Sequence, residues 1–132
     1  MITFKARDGV DVYARLFTPE MIGAKRDPTQ PGVVFVHGAG YLQNAHKLLV
    51  DATTASTCST TCSRRAATSC STSDYRASSG YGRDWRTAIY RHMGGKDLED
   101  VVDGAKYLVA DGAGRTRSGS ASTAAATAGS SR

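Results

Sequence analysis

The stretch that decides the fold is "PGVVFVHGAG", residues 31–40. Its residues 33–36 form a continuous run of β-branched and aromatic side chains with no polar residue among them. Such a run without alternation is typical of a strand buried on both faces, as in a parallel sheet. The tetrapeptide "HGAG", residues 37–40, ends the run abruptly and predicts a tight turn in which glycine lets the backbone approach a ligand closely.

Regular structure is also predicted on either side of this strand. Two short alternating runs flank Asp8-Gly9, which is the strongest short hairpin signal. Further along, "GGKDLEDVVDGAKYLVA" predicts a helix over 97–110, with Asp97 as its cap. Apolar residues recur at helical spacing and predict one face that covers a sheet; they are Leu98, Val101, Val102, Ala105, Leu108 and Val109.

Two segments have a different composition. Residues 48–73 consist mostly of Ser, Thr, Ala and Cys, and residues 111–132 mostly of Ala, Gly, Ser and Thr. Neither has a period of 2 or 3.6, and neither can bury enough apolar surface to offset the entropy of ordering the chain. We therefore expect both to be disordered, which leaves strand 33–36 without the crossover and parallel neighbour that it normally requires.

A shift of the reading frame by two bases offers a reason for the two segments. Ser, Thr, Ala, Cys and Arg are frequent products of GC-rich coding sequence read in the wrong frame. Within residues 48–73 the shifted frame allows "EYMFNNLLAARGYIVLDI", a helical pattern followed by an apolar strand, directly ahead of Asp74. In the tail it allows "YGGSYGGF". The hypothesis is that both segments are out of frame.

The remaining parts resemble the hydrolase domain of the prolyl oligopeptidase family of serine peptidases, closest to its dipeptidyl-peptidase and acylaminoacyl-peptidase branch. The resemblance rests on "TFKARDG", "VYARLFTP", "PGVVFVHGAG", "DYRASSGYGRDW" and "GGKDLEDVVDGAKYLV" in this order. It implies an incomplete α/β-hydrolase with an N-terminal hairpin, one or two sheet strands and one covering helix, with much of the rest disordered. Residues 1–110 are then a partial domain, with 48–73 out of frame, and residues 111–132 a low-complexity tail.

The resemblance also implies a site. The loop after the first sheet strand lines the oxyanion side in this family, which assigns that role to the run His37, Gly38, Ala39, Gly40 and Tyr41. A nucleophilic Ser in G-x-S-x-G, followed by Asp and His, completes the family's machinery. The 132 residues contain no such serine motif, and they end before the Asp and His are expected. We therefore expect no catalytic residue here and no activity from the chain as written.

Other serine and histidine residues are poor substitutes. Neither Ser122 nor Ser130 has Gly two residues before and two residues after it, and no apolar strand precedes either. We expect His46 and His92 to lie on the surface. An esterase that uses a serine of the tail is the competing enzyme hypothesis.

A second group of polar residues is predicted to fix the loop after the missing strand. Arg76 follows an acidic residue, and its candidate partners are Asp74, Asp84 and Asp100. The alternative is a solvated side chain. Tyr81 and Trp85 either line a substrate pocket or pack the loop, and packing is the commoner outcome.

Composition excludes several other functions. The net charge is +5, but the arginines form no stripe, so we expect no nucleic-acid partner, although a basic, disordered Ser/Arg-rich binder remains an alternative of another class. Cys58, Cys62 and Cys70 match no zinc spacing. No apolar run suits a membrane, and the first residues contain no signal core, which favours the cytoplasm by default. The resemblance implies a peptide substrate for the intact parent, no metal and no cofactor.

Overall fold

The computed structural model describes residues 1–25, 32–38, 42–45, 69–111 and 124–125. Its regular elements are β1 (Ile2–Lys5), β2 (Asp11–Phe17), a 3-10 turn (Pro19–Ile22), β3 (Val33–Val36), β4 (Cys70–Asp74), α1 (Arg83–Thr87), α2 (Lys96–Ala110) and β5 (Ala124–Ala125). The strands form one sheet in the order β1-β2-β4-β3-β5. The pairs β1–β2 and β2–β4 are antiparallel, whereas β3 runs parallel to both β4 and β5.

The N-terminal hairpin predicted around Asp8-Gly9 is confirmed. Ile2 pairs with Ala14 and Lys5 with Asp11 across β1 and β2. Gly9 adopts a φ of 84°, a left-handed conformation that glycine reaches without a steric penalty. The turn therefore forms where the sequence predicts it, and for the predicted reason.

The parallel pairing of β3 is confirmed as well, although its predicted burial is only partly correct. Phe35 is in register with Thr72 on one side and with Ala124 on the other. All four residues of β3 are half-buried rather than fully buried. Among the described residues, the two-residue β5 covers only a short part of this strand.

The largest difference from the sequence analysis is β4, which lies in a segment expected to be disordered. Residues 70–74 form a strand between β2 and β3, and all five are buried. A ladder of backbone hydrogen bonds does not depend on the side chains, and small Cys, Ser and Thr residues fit between neighbouring layers. The cost appears in the hydroxyl groups: Ser69 Oγ and Thr72 Oγ1 are buried without a hydrogen-bond partner. Residues 46–68 lie outside the described residues.

The tail, residues 111–132, was also expected to be disordered, but two of its residues form a strand. Ala124 and Ala125 form β5, which pairs with Phe35 and Val36. A strand of alanines is possible here because the neighbouring strand supplies the hydrogen bonds. The other residues of 112–132 lie outside the described part of the chain.

Helix α2 forms as predicted, but only part of the predicted apolar face is buried: Leu108 is buried and Val101 is half-buried. Leu98, Val102 and Val109 are exposed, whereas Asp100 and Asp103 are buried. The two carboxylates face inward because arginines from the hairpin and from the loop after β4 bind them. The predicted cap is also wrong. The helix begins at Lys96 after Gly95, and the Asp97 side chain accepts a hydrogen bond from the Gly94 N–H at 3.2 Å instead.

The apolar contact between hairpin and helix centres on Phe4. Phe4 is buried with Ala6, Val12 and Ala14 in one cluster, and Tyr107 stacks on its ring at 5.8 Å. A Cβ atom added at Gly104 would lie 3.0 Å from the Phe4 ring, so the ring would have to shift by a few tenths of an ångström to accept a larger residue. The helix therefore packs directly on the hairpin.

The sheet with its packed helix is part of an α/β-hydrolase fold, as the sequence predicts, and it is more complete than expected. None of the described helices has the length and apolarity needed to cross a bilayer.

We expect the Thr72→Val substitution to stabilise the protein. It replaces a fully buried, unpartnered hydroxyl by a methyl group of similar size. Removal of an unsatisfied buried polar group is worth about 1–2 kcal/mol. The free energy of unfolding in urea measures the effect.

Thr3→Val is the matched control, because Thr3 lies in the edge strand β1 with its side chain exposed. Its effect should stay within about 0.5 kcal/mol. Equal effects of the two substitutions would show that Thr72 is not buried as described.

Candidate functional site

The candidate site lies where the carboxyl ends of β3 and β4 meet. The two strands are parallel, with Phe35 in register with Thr72, so His37 and Asp74 come next to each other two residues further along. His37 Nε2 lies 3.8 Å from Asp74 Oδ1, and both side chains are buried. Of the predicted oxyanion-side loop, the structure describes His37 and Gly38. Ala39, Gly40 and Tyr41 lie outside the described residues, and the role of the loop stays a prediction.

The Asp74 carboxylate binds the backbone of residues 44–45, which follow this loop. Its carboxylate accepts hydrogen bonds from the backbone N–H of Asn44 at 2.7 Å and of Ala45 at 3.1 Å. The Tyr81 hydroxyl donates a third bond at 2.8 Å. Burial, followed by the bond to Asp74, raises the pKa of Tyr81. Asp74 is one of three candidate partners of Arg76 in the sequence, and the structure shows that it holds the backbone of Asn44 and Ala45 instead.

The His37 side chain is held in one orientation by hydrogen bonds and a stacking contact. Its Nδ1 lies 3.0 Å from the Gly38 carbonyl oxygen and its Nε2 2.9 Å from Ser78 Oγ. The ring stacks on Tyr75 at 4.4 Å, and the Tyr75 hydroxyl donates to the His37 carbonyl at 2.7 Å. Burial raises the pKa of Tyr75 to about 12, which keeps this donor protonated at neutral pH. The imidazole therefore faces the protein interior, and its ring nitrogens are engaged by protein atoms.

Ser78, His37 and Asp74 do not form a catalytic triad, although the residue types match one. In a triad the serine and the aspartate bind opposite nitrogens of the imidazole. Here Ser78 Oγ and Asp74 Oδ1 both approach Nε2. Ser78 is also fully buried, so it cannot reach a substrate.

Arg76 is the anchor of the loop after β4, as predicted, and Asp100 is its main partner. Its backbone N–H and its Nε each donate to Asp100 Oδ2 at 2.9 Å, and its Nη2 donates to Oδ1 at 2.5 Å. Its Nη1 binds Asp8 at the tip of the hairpin. These bonds, Asp100 first, raise the pKa of Arg76. Asp84, another predicted partner, instead lies in an exposed pair with Arg83 at 3.6 Å.

Asp8 has a role that the sequence does not signal, because its local pattern predicts only a turn at Asp8-Gly9. Its contact with Arg76 joins residues 68 positions apart, and no local pattern signals it. Arg76 and Lys96 lower the pKa of Asp8. A second pair links hairpin and helix beside it, because Arg7 binds Asp103 through Nε at 3.1 Å and Nη2 at 3.0 Å.

Tyr81 and Trp85 pack the loop, the commoner of the two predicted outcomes. Tyr81 stacks on Tyr13 at 5.3 Å, and Trp85 lies 5.4 Å from Tyr81. The Trp85 indole N–H donates to the Tyr75 carbonyl at 3.1 Å. The two rings therefore tie the loop to β2 and to the end of β4.

The remaining candidates add no chemistry to this site. His92 is exposed, as predicted, and Cys70 is buried in the apolar cluster with Phe17, Val33 and Phe35. The described residues hold no group of acidic, Cys or His side chains that could bind a metal. His46, Ser122, Ser130, Cys58 and Cys62 lie outside the described part of the chain.

The strand order, the parallel pairing around β3 and the glycine-containing loop after it define the class as an α/β-hydrolase fold. Residues 63–121 match the model of the prolyl oligopeptidase family. The crystal structure of puromycin hydrolase is similar, with 25% sequence identity and a TM-score of 0.68 over 86% of this chain. A structure of an alanine variant of that hydrolase in complex with PGG matches equally. Part of the chain is therefore similar to the prolyl oligopeptidase family, and its described part has the fold of a member's hydrolase domain.

The match has a limited extent. The chain covers 16% of the length of puromycin hydrolase. A comparison with curated proteins gave no match.

We expect Asp100→Asn to destabilise the protein by about 3–5 kcal/mol, because it leaves the buried Arg76 without its main counter-charge. Urea unfolding measures the loss. Asp84→Asn removes the same charge from a side chain that is 97% exposed, and it should change stability by less than about 0.5 kcal/mol. A small effect of Asp100→Asn would contradict the buried ion pair.

Proposed function

We propose that the chain is the N-terminal part of the hydrolase domain of a prolyl oligopeptidase-type serine peptidase, of the dipeptidyl-peptidase and acylaminoacyl-peptidase branch. The observation that carries the proposal is the parallel arrangement of β4, β3 and β5. From β3 the chain passes to β4 on one side, and β5 lies on the other side. In open α/β sheets such a switch point, at the carboxyl ends of the strands, is where ligands bind.

The loop after β3 has a chemical role in this proposal. Attack of a serine hydroxyl on a peptide carbonyl forms the Oγ–C bond and places negative charge on the carbonyl oxygen. Backbone N–H groups aimed at that oxygen stabilise the charge. Gly38 follows directly after the locked His37 and adds no side chain. The fixed orientation of His37 therefore favours a preorganised main chain at the oxyanion side.

The rest of the parent's reaction needs groups that these 132 residues lack. The amine leaves with a proton from a histidine as the C–N bond breaks, and water then hydrolyses the acyl-enzyme. The sequence holds no G-x-S-x-G for the nucleophile. We propose that the 132-residue chain by itself is inactive, with peptides as the substrates of the intact parent.

The register of β5 supports the frame hypothesis. In the shifted frame, the serine of GGSYGG falls on Ala126. This residue follows directly after Ala125, which pairs with Val36 one residue before His37. A nucleophile after this strand and an oxyanion loop after β3 would be neighbours, as the elbow of an α/β-hydrolase requires. The unpartnered hydroxyls of Ser69 and Thr72 also support it, because the shifted text reduces the hydroxyl content of β4.

The first test is reactivity. We expect the purified 132-residue chain to take up no fluorophosphonate probe and to hydrolyse neither peptide nor ester substrates. An intact serine hydrolase labelled in parallel is the positive control. Stoichiometric labelling of a tail serine would favour an esterase and overturn the proposed inactivity.

The second test is the nucleotide sequence from codon 45 to codon 132 and beyond. We expect wobble bases that spell the missing helix and strand ahead of Asp74 and the motif YGGSYGGF across the tail. Wobble bases that spell unrelated text would end the frame hypothesis and leave the fold assignment intact.

A further inference from the structure

A cavity outside the candidate site lies at the turn after α1. It has a volume of about 480 Å³, within the range of about 300–1,000 Å³ that is usual for small-ligand sites. We call it the Arg91 pocket. Its lining residues are Arg86, Thr87, Ile89, Tyr90, Arg91 and Met93.

Part of the lining of the Arg91 pocket is apolar. Ile89 is buried, and it belongs to a cluster with Tyr75 and Ala77. Tyr90 and Met93 are 71% and 66% exposed, so the pocket presents large apolar side chains to solvent. Single exposed apolar residues are ordinary, but several around one concavity are typical of a binding site.

The lining also includes two positively charged side chains, Arg86 and Arg91. The Arg91 guanidinium lies over the Tyr90 ring, 5.2 Å from its centroid. Within the described ranges, no carboxylate lies at ion-pair distance from Arg91. This differs from Arg7 and Arg76, which bind carboxylates. Arg91 also has a φ of 58°, which is uncommon for a residue other than glycine.

We propose that the Arg91 pocket binds a carboxylate attached to an apolar group, as at the C-terminal residue of a peptide that ends in an aromatic side chain. A planar guanidinium binds both oxygens of a carboxylate with two parallel hydrogen bonds. The apolar body of the ligand packs on Ile89, Tyr90 and Met93. The proposal needs no nucleophile and does not rest on the proposed function.

Paired ligands test this proposal on the purified 132-residue chain. N-acetylphenylalanine and N-acetylphenylalaninamide share one apolar body, and only the first carries a carboxylate. Binding is followed by the NMR signal of the Met93 methyl group, with the methyl groups of Met1 and Met21 as internal references. We expect the acid to bind about tenfold more tightly than the amide, because the charged hydrogen bonds are lost in the amide. The peptide Ala-Ala-Phe and the small acid phenylacetate separate a peptide from a free aromatic acid as the source.

Two variants distinguish binding from folding. Arg91→Gly removes the guanidinium and fits the positive φ, so the fold should be kept while the preference for the acid is lost. Arg83→Ala removes an equal charge from a side chain that is 85% exposed and lies outside the pocket, and it should leave binding unchanged.

Four results would overturn the proposal. They are equal affinity for acid and amide, no shift of the Met93 methyl signal with either ligand, unchanged preference in Arg91→Gly, and equal losses in Arg91→Gly and Arg83→Ala.

Discussion

The burial of Arg76 between two carboxylates is the constraint on which the described structure depends. One guanidinium joins the hairpin tip at Asp8, the loop after β4 and helix α2 at Asp100. A buried ion of this kind is tolerated only with several charge-assisted hydrogen bonds. Asp100 accepts two from the guanidinium and Asp8 accepts a third. Because the donors of a guanidinium have fixed directions, the contact sets the position and the rotation of α2 together. The Arg7–Asp103 pair repeats the contact one helical turn away, where Arg7 lowers the pKa of Asp103.

This constraint explains which features the sequence could predict and which it could not. The hairpin depends on Asp8-Gly9 and on alternation, and the helix on apolar spacing over one segment, so local patterns sufficed for both. The pairing of Arg76 with Asp100 was among a few candidates, because an arginine between acidic residues needs a partner. The face that α2 buries was predicted only in part, since Leu108 is buried as expected but Leu98 and Val102 are exposed. Apolar spacing favours the side with Leu98 and Val102, whereas contacts with Arg7 and Arg76, distant in sequence, turn Asp100 and Asp103 inward.

The central strand β4 shows a different limit of sequence reasoning. Composition measures how much apolar surface a segment can bury, and by that measure residues 70–73 should stay out of a core. Their backbone nevertheless pairs with strands on both sides, and Cys70 packs against Phe17, Val33 and Phe35. This burial is energetically unfavourable for the hydroxyl groups of Ser69 and Thr72, which have no hydrogen-bond partner. A segment that would not form a strand alone can therefore do so when it pairs with neighbouring strands. The pattern of a single segment does not show which strands will lie beside it.

In the candidate site, as in β4, the backbone contributes most of the structure and the side chains contribute less. Strand pairing, the lock on His37 and the anchoring of Asn44 and Ala45 by Asp74 fix a main-chain scaffold at the carboxyl ends of β3 and β4. Such a scaffold tolerates many substitutions, because most of its hydrogen bonds come from peptide groups or from the side chains of Tyr75, Ser78 and Tyr81. Nucleophilic catalysis has no such tolerance, since it requires one hydroxyl oxygen at one position. The frame shift that we propose upstream and downstream of residues 74–110 would therefore leave the sheet and the main chain after β3 recognisable while removing the nucleophile motif.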